Sequence, residues 1–141
     1  MNKILVPVDG SKEANAAAAW ALKAAAAFGA SVTLLHVYDI LPEDAMGLAD
    51  LSSDAILASI EHQAAPSFDS AKAVMGDHEI EIDTISVIGR TADEIINVAL
   101  TNGFNHIVMG RRGLSQLRGL LLGSVSEKVT RRAHCAVTVL N

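Results

Sequence analysis

Glycine, arginine and serine residues between positions 106 and 125 have the types and spacing of an anion-binding segment. The apolar run His106-Ile-Val-Met is followed by Gly110-Arg-Arg-Gly113, and Gly123-Ser124 comes after nine further residues. Glycine lets a backbone approach a ligand closely, and a helix N-terminus presents unpaired N–H groups with partial positive charge. A strand end, a glycine turn and a helix start of this kind are typical of a phosphate site.

The same residues also have a purely structural interpretation. Ser124-Val-Ser-Glu127 has the spacing of a capping box, which predicts Ser124 as the N-cap of the last helix. Gly110, Gly113 and Gly123 would then be turn residues. Asp9, at the end of the first apolar run, is either a turn-forming aspartate or a group that meets a ribose or a cation.

The composition fits one globular domain with a local positive charge. The 141 residues are 50% hydrophobic and carry a net charge of −5, which disfavours general nucleic-acid binding. Six of the 11 Lys and Arg residues nevertheless lie at positions 111–132, either as a solvated basic face or as an anion site.

The sequence also contains no predicted signal peptide or membrane-spanning segment. The N-terminal apolar run is too short for a signal sequence, and no apolar run reaches the roughly 18 residues needed to cross a bilayer. The single cysteine, Cys135, fits a reducing compartment. We therefore expect a cytoplasmic protein with no membrane partner.

Alternating strands and helices must position the glycine segment. Apolar runs predict strands, and amphipathic patterns, with Ser11 and Thr91 as helix-starting caps, predict helices. The predicted strands are 3–8, 31–37, 80–87, 106–109 and 136–140, and the predicted helices are 12–28, 91–101 and 124–133. A further helical region, about 50–75, contains Pro66, which predicts a kink or a division into two helices.

This alternation predicts an α/β fold, a mostly parallel sheet with helices on both faces. The polar third strand is expected at an edge of the sheet, and an alanine stripe ending at Phe28 is expected to pack the first helix closely. Ligands of such sheets bind beyond the carboxyl ends of the strands, where the connection order reverses. The candidate ends are Val8-Asp9, Val37-Tyr38 and Met109-Gly110.

Several common catalytic and nucleotide signatures do not occur. The sequence has neither the P-loop pattern nor the dinucleotide pattern of three glycines. It shows no set of nucleophile, base and orienting residue, and no convincing pair of metal-binding histidines. We therefore predict no catalytic residue and no protein-held metal.

The pattern Gly110-x2-Gly113-x9-Gly123-Ser124 resembles the ATP-binding motif of the universal stress protein family. The stretch Ile4-Leu-Val-Pro-Val-Asp9-Gly-Ser11 is similar to that family's first strand and turn, and Leu35-His36-Val37 and Leu121–Val125 extend the likeness along the chain. The resemblance implies a single universal stress protein domain over residues 1–141. It also implies an open, twisted, five-stranded parallel sheet of order 3-2-1-4-5, of the adenine nucleotide alpha-hydrolase-like type.

The resemblance further implies a set of ligand-binding residues. The ligand would be ATP, or ADP or AMP, with Mg²⁺ or Mn²⁺ as the ion that would bridge its phosphates. Val37 would hold the adenine through its backbone beside Pro7 and Val8, Asp9 would face the ribose, the adenine or a cation, and Met109 and Gly110 would meet the ribose. The residues that would hold the phosphates, largely through N–H groups, are Arg112, Gly113, Gly123, Ser124 and Val125.

The implied function is that of a nucleotide-dependent regulatory protein in the stress response. The family usually forms homodimers through its last strand, here 136–140, and a regulatory protein partner is also expected. Ala136 stands where relatives often have proline, which loosens the turn into that strand. Two alternatives are a slow, metal-dependent ATP-hydrolysing enzyme and a nucleotide-independent interaction module. Because the chain lacks the P-loop lysine, we expect at most weak ATPase activity.

Overall fold

The computed structural model describes residues 2–39, 52–113 and 122–141, in which five strands alternate with four helices. The strands are β1 (Lys3–Pro7), β2 (Ser31–Tyr38), β3 (Ile82–Ile88), β4 (His106–Gly110) and β5 (Ala136–Leu140). The helices are α1 (Lys12–Phe28), α2 (Ser53–Met75), α3 (Thr91–Thr101) and α4 (Ser124–Arg132). Each predicted strand and helix is confirmed, with ends that differ from the prediction by at most a few residues.

The strands form one parallel sheet of order β3-β2-β1-β4-β5, which confirms the predicted fold. β1 pairs with β2 through Lys3–Pro7 and with β4 through Ile4 and Leu5. The chain therefore continues to one side of β1 first and to the other side later. This reversal opens a crevice between the carboxyl ends of β1 and β4.

The core has one layer on each face of the sheet because successive strand residues point to opposite faces. Ile4 and Val6 of β1 are fully buried beneath α1 and α2, and Leu5 is fully buried on the side of α3 and α4. The buried alanines of α1 allow close packing on the first face, as predicted. Phe28 was wrongly included in that stripe: it is 64% exposed, and the chain turns away directly after it at Gly29, where φ is 64°.

Two local predictions in the helices are also wrong. Ser53–Met75 is one continuous helix with Pro66 inside it, so the alternative of two separate helices is excluded. Pro66 is exposed, so water can hydrate the carbonyl group that proline leaves without a donor. The N-cap of α3 is Arg90 rather than Thr91, which is the first residue of the helix and donates its hydroxyl to Asp39 Oδ2 at 3.2 Å.

Among the described helices, none has the length and apolar character to span a membrane.

Candidate functional site

A cavity lies at the carboxyl edge of the sheet, where β1 and β4 separate. Every residue that the sequence assigned to a ligand lines this cavity: Pro7, Val8, Asp9, Val37, Met109, Gly110, Arg112, Gly113, Gly123, Ser124 and Val125. Ala14, Leu35, Thr91, Ile95, Arg111 and Ser126 line it as well. The structure thus brings the predicted residues together, and their contacts with a ligand stay a prediction.

One wall of the cavity is apolar and is built from the ends of β1 and β2. Leu35 is fully buried and Val8 is 3% exposed. The Val8 N–H donates to Leu35 O at 2.8 Å, and His36 Nδ1 lies 2.9 Å from Val8 O. A carbonyl oxygen only accepts, so His36 Nδ1 carries the proton of this bond. Both polar groups of the Val8 peptide are therefore bound, and the wall is fixed to β2.

The turn that follows β1 places Asp9 at the start of α1. Asp9 Oδ1 accepts the Ser11 N–H at 2.9 Å, and Ser11 Oγ accepts the Ala14 N–H at 3.2 Å as the N-cap of α1. The predicted cap at Ser11 is confirmed. Gly10 has φ of 83°, a conformation that side chains disfavour, which lets the chain turn sharply enough to form this arrangement.

The opposite wall joins the end of β4 to the start of α4. Arg111 O accepts the Gly123 N–H at 2.9 Å and the Ser126 hydroxyl at 2.7 Å. Gly123, not Ser124, is the N-cap of α4, and a glycine has no side chain with which to cap the helix. The capping-box prediction for Ser124 is therefore wrong, since the helix begins one residue earlier than the box requires. The side chain of Ser124 is exposed, and the first N–H groups of a helix have no acceptor within the helix itself, so both suit a bound anion.

The three glycines of the motif serve close contacts between protein segments. A Cβ atom on Gly110 would lie 2.7 Å from Glu13 Cβ and 2.8 Å from Glu13 C, one on Gly113 would collide with Asp9 Oδ2, and one on Gly123 would lie 3.1 Å from Arg111 O. None of these three has a positive φ. The Gly123 N–H, which the family resemblance assigned to phosphate, is already bonded to Arg111 O. Gly123 therefore contributes to the site through its small size and not through this N–H.

The basic residues predicted between positions 111 and 132 divide into separate groups. Arg111 and Arg112 line the cavity. Lys128 Nζ and Arg132 Nη1 instead bind Asp93 at 2.8 and 3.0 Å. Arg131 Nη1 lies 3.7 Å from Glu127 Oε1, and Arg118 lies outside the described residues. Among the described basic residues between positions 111 and 132, those that line the cavity are therefore the two arginines after β4.

Metal-binding side chains are not clustered in the part of the chain that the structure describes. Within residues 2–39, 52–113 and 122–141, no group of three or more His, Cys, Asp or Glu could hold a metal ion. Among the described residues that line the cavity, Asp9 is the one that carries a carboxylate. A cation at this site would need ligand oxygens in addition to those of Asp9.

Sequence reasoning missed two hydroxyl-bearing residues that line the cavity. Ser126 binds Arg111, 15 positions earlier, and Thr91 binds Asp39, 52 positions earlier. Both contacts form only when distant segments meet. The pattern Ser-x-Ser after Gly123 was visible, but local cap spacing favoured Ser124 over Ser126.

Comparisons with known proteins give a consistent result. The model of the universal stress protein family matches residues 1–141. A universal stress protein of Methanocaldococcus jannaschii is 34% identical over 139 residues, which is 98% of this chain and 81% of that protein.

Solved structures with the same fold support this likeness. The structure of the universal stress protein UspA of Lactobacillus plantarum has a TM-score of 0.77 and 27% identity, and the match covers 99% of this chain and 97% of that one. A universal stress protein solved in complex with cAMP has a TM-score of 0.71 at 27% identity, with the same two coverages.

Proposed function

The chain belongs to the universal stress protein family, and we propose that it is an ATP-binding regulatory protein of the cytoplasm. One observation carries the proposal: an apolar wall, two glycine-containing segments and a helix N-terminus with a glycine N-cap all line the same cavity. An adenine ring suits the apolar wall, and phosphates suit the helix start and the arginines. The cAMP complex of a related protein supports an adenine nucleotide as the ligand class.

The proposed binding mode follows the geometry of the two walls. The adenine lies along Pro7, Val8 and the Val37 backbone, and the ribose lies near Asp9, Met109 and Gly110. The phosphates lie against Arg112, Gly113 and the start of α4 at Ser124 and Val125, with Gly123 giving space. The residues fit this ligand because Cβ atoms on Gly113 and Gly123 would crowd the cavity lining. Mg²⁺ or Mn²⁺ would be held mainly by phosphate oxygens, with Asp9 as the nearby carboxylate.

Isothermal titration calorimetry of nucleotide-free protein tests this function. We expect ATP to bind one site per chain and Gly113→Val to abolish binding, because the new side chain would displace Asp9. Ala16→Val, which adds bulk on the exposed side of α1, is the control and should bind as the wild type does. Wild-type protein that binds no adenine nucleotide would refute the proposal.

A phosphate-release assay on the same samples separates binding from catalysis. We expect ATP to stay largely intact. Turnover of about 1 s⁻¹ or faster, the lower range of ordinary enzymes, would instead make this protein an ATP-hydrolysing enzyme.

We further propose that the protein is a homodimer joined through β5. β5 is an outer strand of the described sheet, and its side chains are mostly half-buried rather than fully exposed. An apolar outer strand with unpaired backbone groups is a surface that natural proteins cover. Pairing of two copies about a two-fold axis would cover it, and the nucleotide state could then be reported to a partner protein.

A further inference from the structure

Ser126 occupies an unusual position for a serine in the first turn of a helix. It is the third residue of α4, it lines the cavity, and only 2% of it is exposed. Its hydroxyl lies 2.7 Å from Arg111 O and 3.0 Å from Gly123 O. A hydroxyl has one proton to donate, so the shorter contact with Arg111 O is the stronger bond.

The backbone of Arg111 is held from several directions, through the two peptide groups that flank its Cα atom. Its oxygen accepts both the Ser126 hydroxyl and the Gly123 N–H, which uses both lone pairs of the oxygen. The Arg111 N–H donates to Leu140 O, at the end of β5, at 2.7 Å. Hydrogen bonds from α4 and to β5 therefore hold Arg111 in place at the end of β4.

These hydrogen bonds determine which backbone groups of the turn can face an anion. The Arg111 oxygen and the Arg112 N–H belong to the same planar trans peptide and point in opposite directions. Holding the oxygen against the start of α4 therefore sets the direction of the Arg112 N–H. The same hydrogen bonds also neutralise part of the negative charge on the Arg111 oxygen. A carbonyl oxygen without donors near an anion site would repel phosphate.

We propose that Ser126 is a positioning residue, which holds Arg111–Gly113 against the start of α4 so that both segments face the same phosphates. This inference rests on the proposed function. It assigns different roles to two serines: Ser124 is exposed and free of a capping bond, so it meets the ligand, and Ser126 is buried and orders the site.

The test compares Ser126→Ala with Thr130→Ala. Thr130 also lies on α4 and donates its hydroxyl to Ser126 O at 2.7 Å, so its loss removes a hydrogen bond of the helix without touching Arg111. The affinities for ATP and for adenosine are measured by calorimetry and by competition. Ser126→Ala should weaken ATP binding by about 3- to 10-fold, the effect of one hydrogen bond, and should leave adenosine affinity unchanged. Thr130→Ala should change neither affinity.

A role in general stability would give a different result. It would lower ATP and adenosine affinity together, and that outcome, or unchanged ATP affinity, would overturn the proposal. Ser126→Cys keeps the size of the buried side chain with a much weaker donor, so it decides the question if Ser126→Ala does not fold.

Amide hydrogen exchange of ligand-free protein tests the positioning without any nucleotide. The Gly123 N–H is bonded to Arg111 O, so it should exchange faster in Ser126→Ala than in the wild type. Faster exchange in a protein that does not bind ATP would preserve the positioning role and refute the proposed function. Unchanged exchange would refute the positioning role itself.

Discussion

Gly110 and Gly113 are three positions apart in one motif, but a methyl group would meet different neighbours at each. At Gly110 it would press on the backbone of α1, where Glu13 C lies 2.8 Å and Ala14 N lies 3.0 Å from the new atom. At Gly113 its neighbour is the Asp9 carboxylate. Backbone cannot move aside without shifting a helix, but a side chain can rotate. Gly110 therefore serves the packing of the fold, and Gly113 serves the shape of the site.

This difference predicts distinct effects for two identical substitutions. Gly110→Ala should lower the free energy of unfolding by about 1–3 kcal/mol, as overpacking of a core does. Gly113→Ala should change it by less than about 1 kcal/mol but should weaken ATP binding, because it displaces Asp9. Urea unfolding and calorimetry measure the two quantities. An equal loss of stability in both variants would contradict the distinction.

At the scale of single residues, the sequence predicted which residues line one cavity better than it predicted their hydrogen bonds. Asp9 and Val37 could be placed at strand ends and Gly113 in a glycine pattern, because both features are visible along the chain, and their ligand roles were implied by the family resemblance. The cap predicted at Ser11 holds because its partner is three residues away. Caps predicted by the same rule at Ser124 and Thr91 are wrong, since contacts between distant segments determine those helix starts.

Helices α1 and α2 begin with the same cap chemistry at different distances from the site. Ser11 Oγ accepts the Ala14 N–H at 3.2 Å, and Ser52 Oγ accepts the Ala55 N–H at 3.3 Å. Ser11 is buried and also donates its N–H to Asp9, whereas Ser52 is exposed. The two serines therefore have the same role as helix caps, and they differ in their burial and in their distance from the site.

The substitutions Ser11→Ala and Ser52→Ala distinguish an effect on stability from an effect on ligand binding. Loss of a cap should lower the free energy of unfolding by about 1 kcal/mol in both variants. Only Ser11→Ala should also weaken ATP binding, because fraying of the first turn of α1 loosens the Asp9 turn. Thermal unfolding and calorimetry give the two readouts. If Ser52→Ala weakened ATP binding as strongly, the effect would be one of global stability.

Helices α3 and α4 are joined by ion pairs to Asp93. The hydrogen bond from Lys128 is the main cause that holds the pKa of the Asp93 carboxyl below its ordinary value, and the charge of Arg132 adds to it. A lowered pKa means that the folded state favours the charged carboxylate. The resulting stabilisation is present above the ordinary pKa, about 3.9, and is lost as the pH falls through the lower folded value.

The ion pairs therefore predict a pH-dependent difference between wild type and Asp93→Asn. At pH 7 the variant should unfold at a lower urea concentration, and the two midpoints should converge as the pH falls below about 4. Glu127→Gln, which alters the longer exposed contact to Arg131, is the control and should behave as the wild type at both pH values. A difference that persisted at low pH would show that Asp93 acts through its shape rather than its charge.

The order of elements could be predicted from the sequence, but their continuity could not. Apolar runs separated by helical patterns gave the alternation of strands and helices, and the order of the strands came from the family resemblance. Pro66 predicted a kink in α2 or its division into two helices, because the rule for proline is local. The helix continues since Pro66 lies on its exposed side while Ile60, Ala64 and Phe68 pack against the fold.

For the whole molecule, the direction of the backbone groups in β5 decides how a second copy could pair. Leu140 O accepts the Arg111 N–H, so the polar backbone groups of Leu140 point towards β4. These groups alternate in direction along a strand, so those of Thr138 also point towards β4. Those of Val137 and Val139 point away from the sheet. Within the described sheet, the two valines supply the donors and acceptors of the open edge.

Proline at these positions tests the proposed dimer, because proline removes one N–H and is tolerated on the open side of an edge strand. Val139→Pro removes an outward N–H, so it should convert a dimer to a monomer and keep the β4–β5 ladder. Thr138→Pro, the matched control, removes an inward N–H and should destabilise the fold itself. Sedimentation velocity gives the mass, and urea unfolding gives the stability. A wild type that sediments as a monomer, or a Val139→Pro variant that stays dimeric, would show that β5 is not the interface.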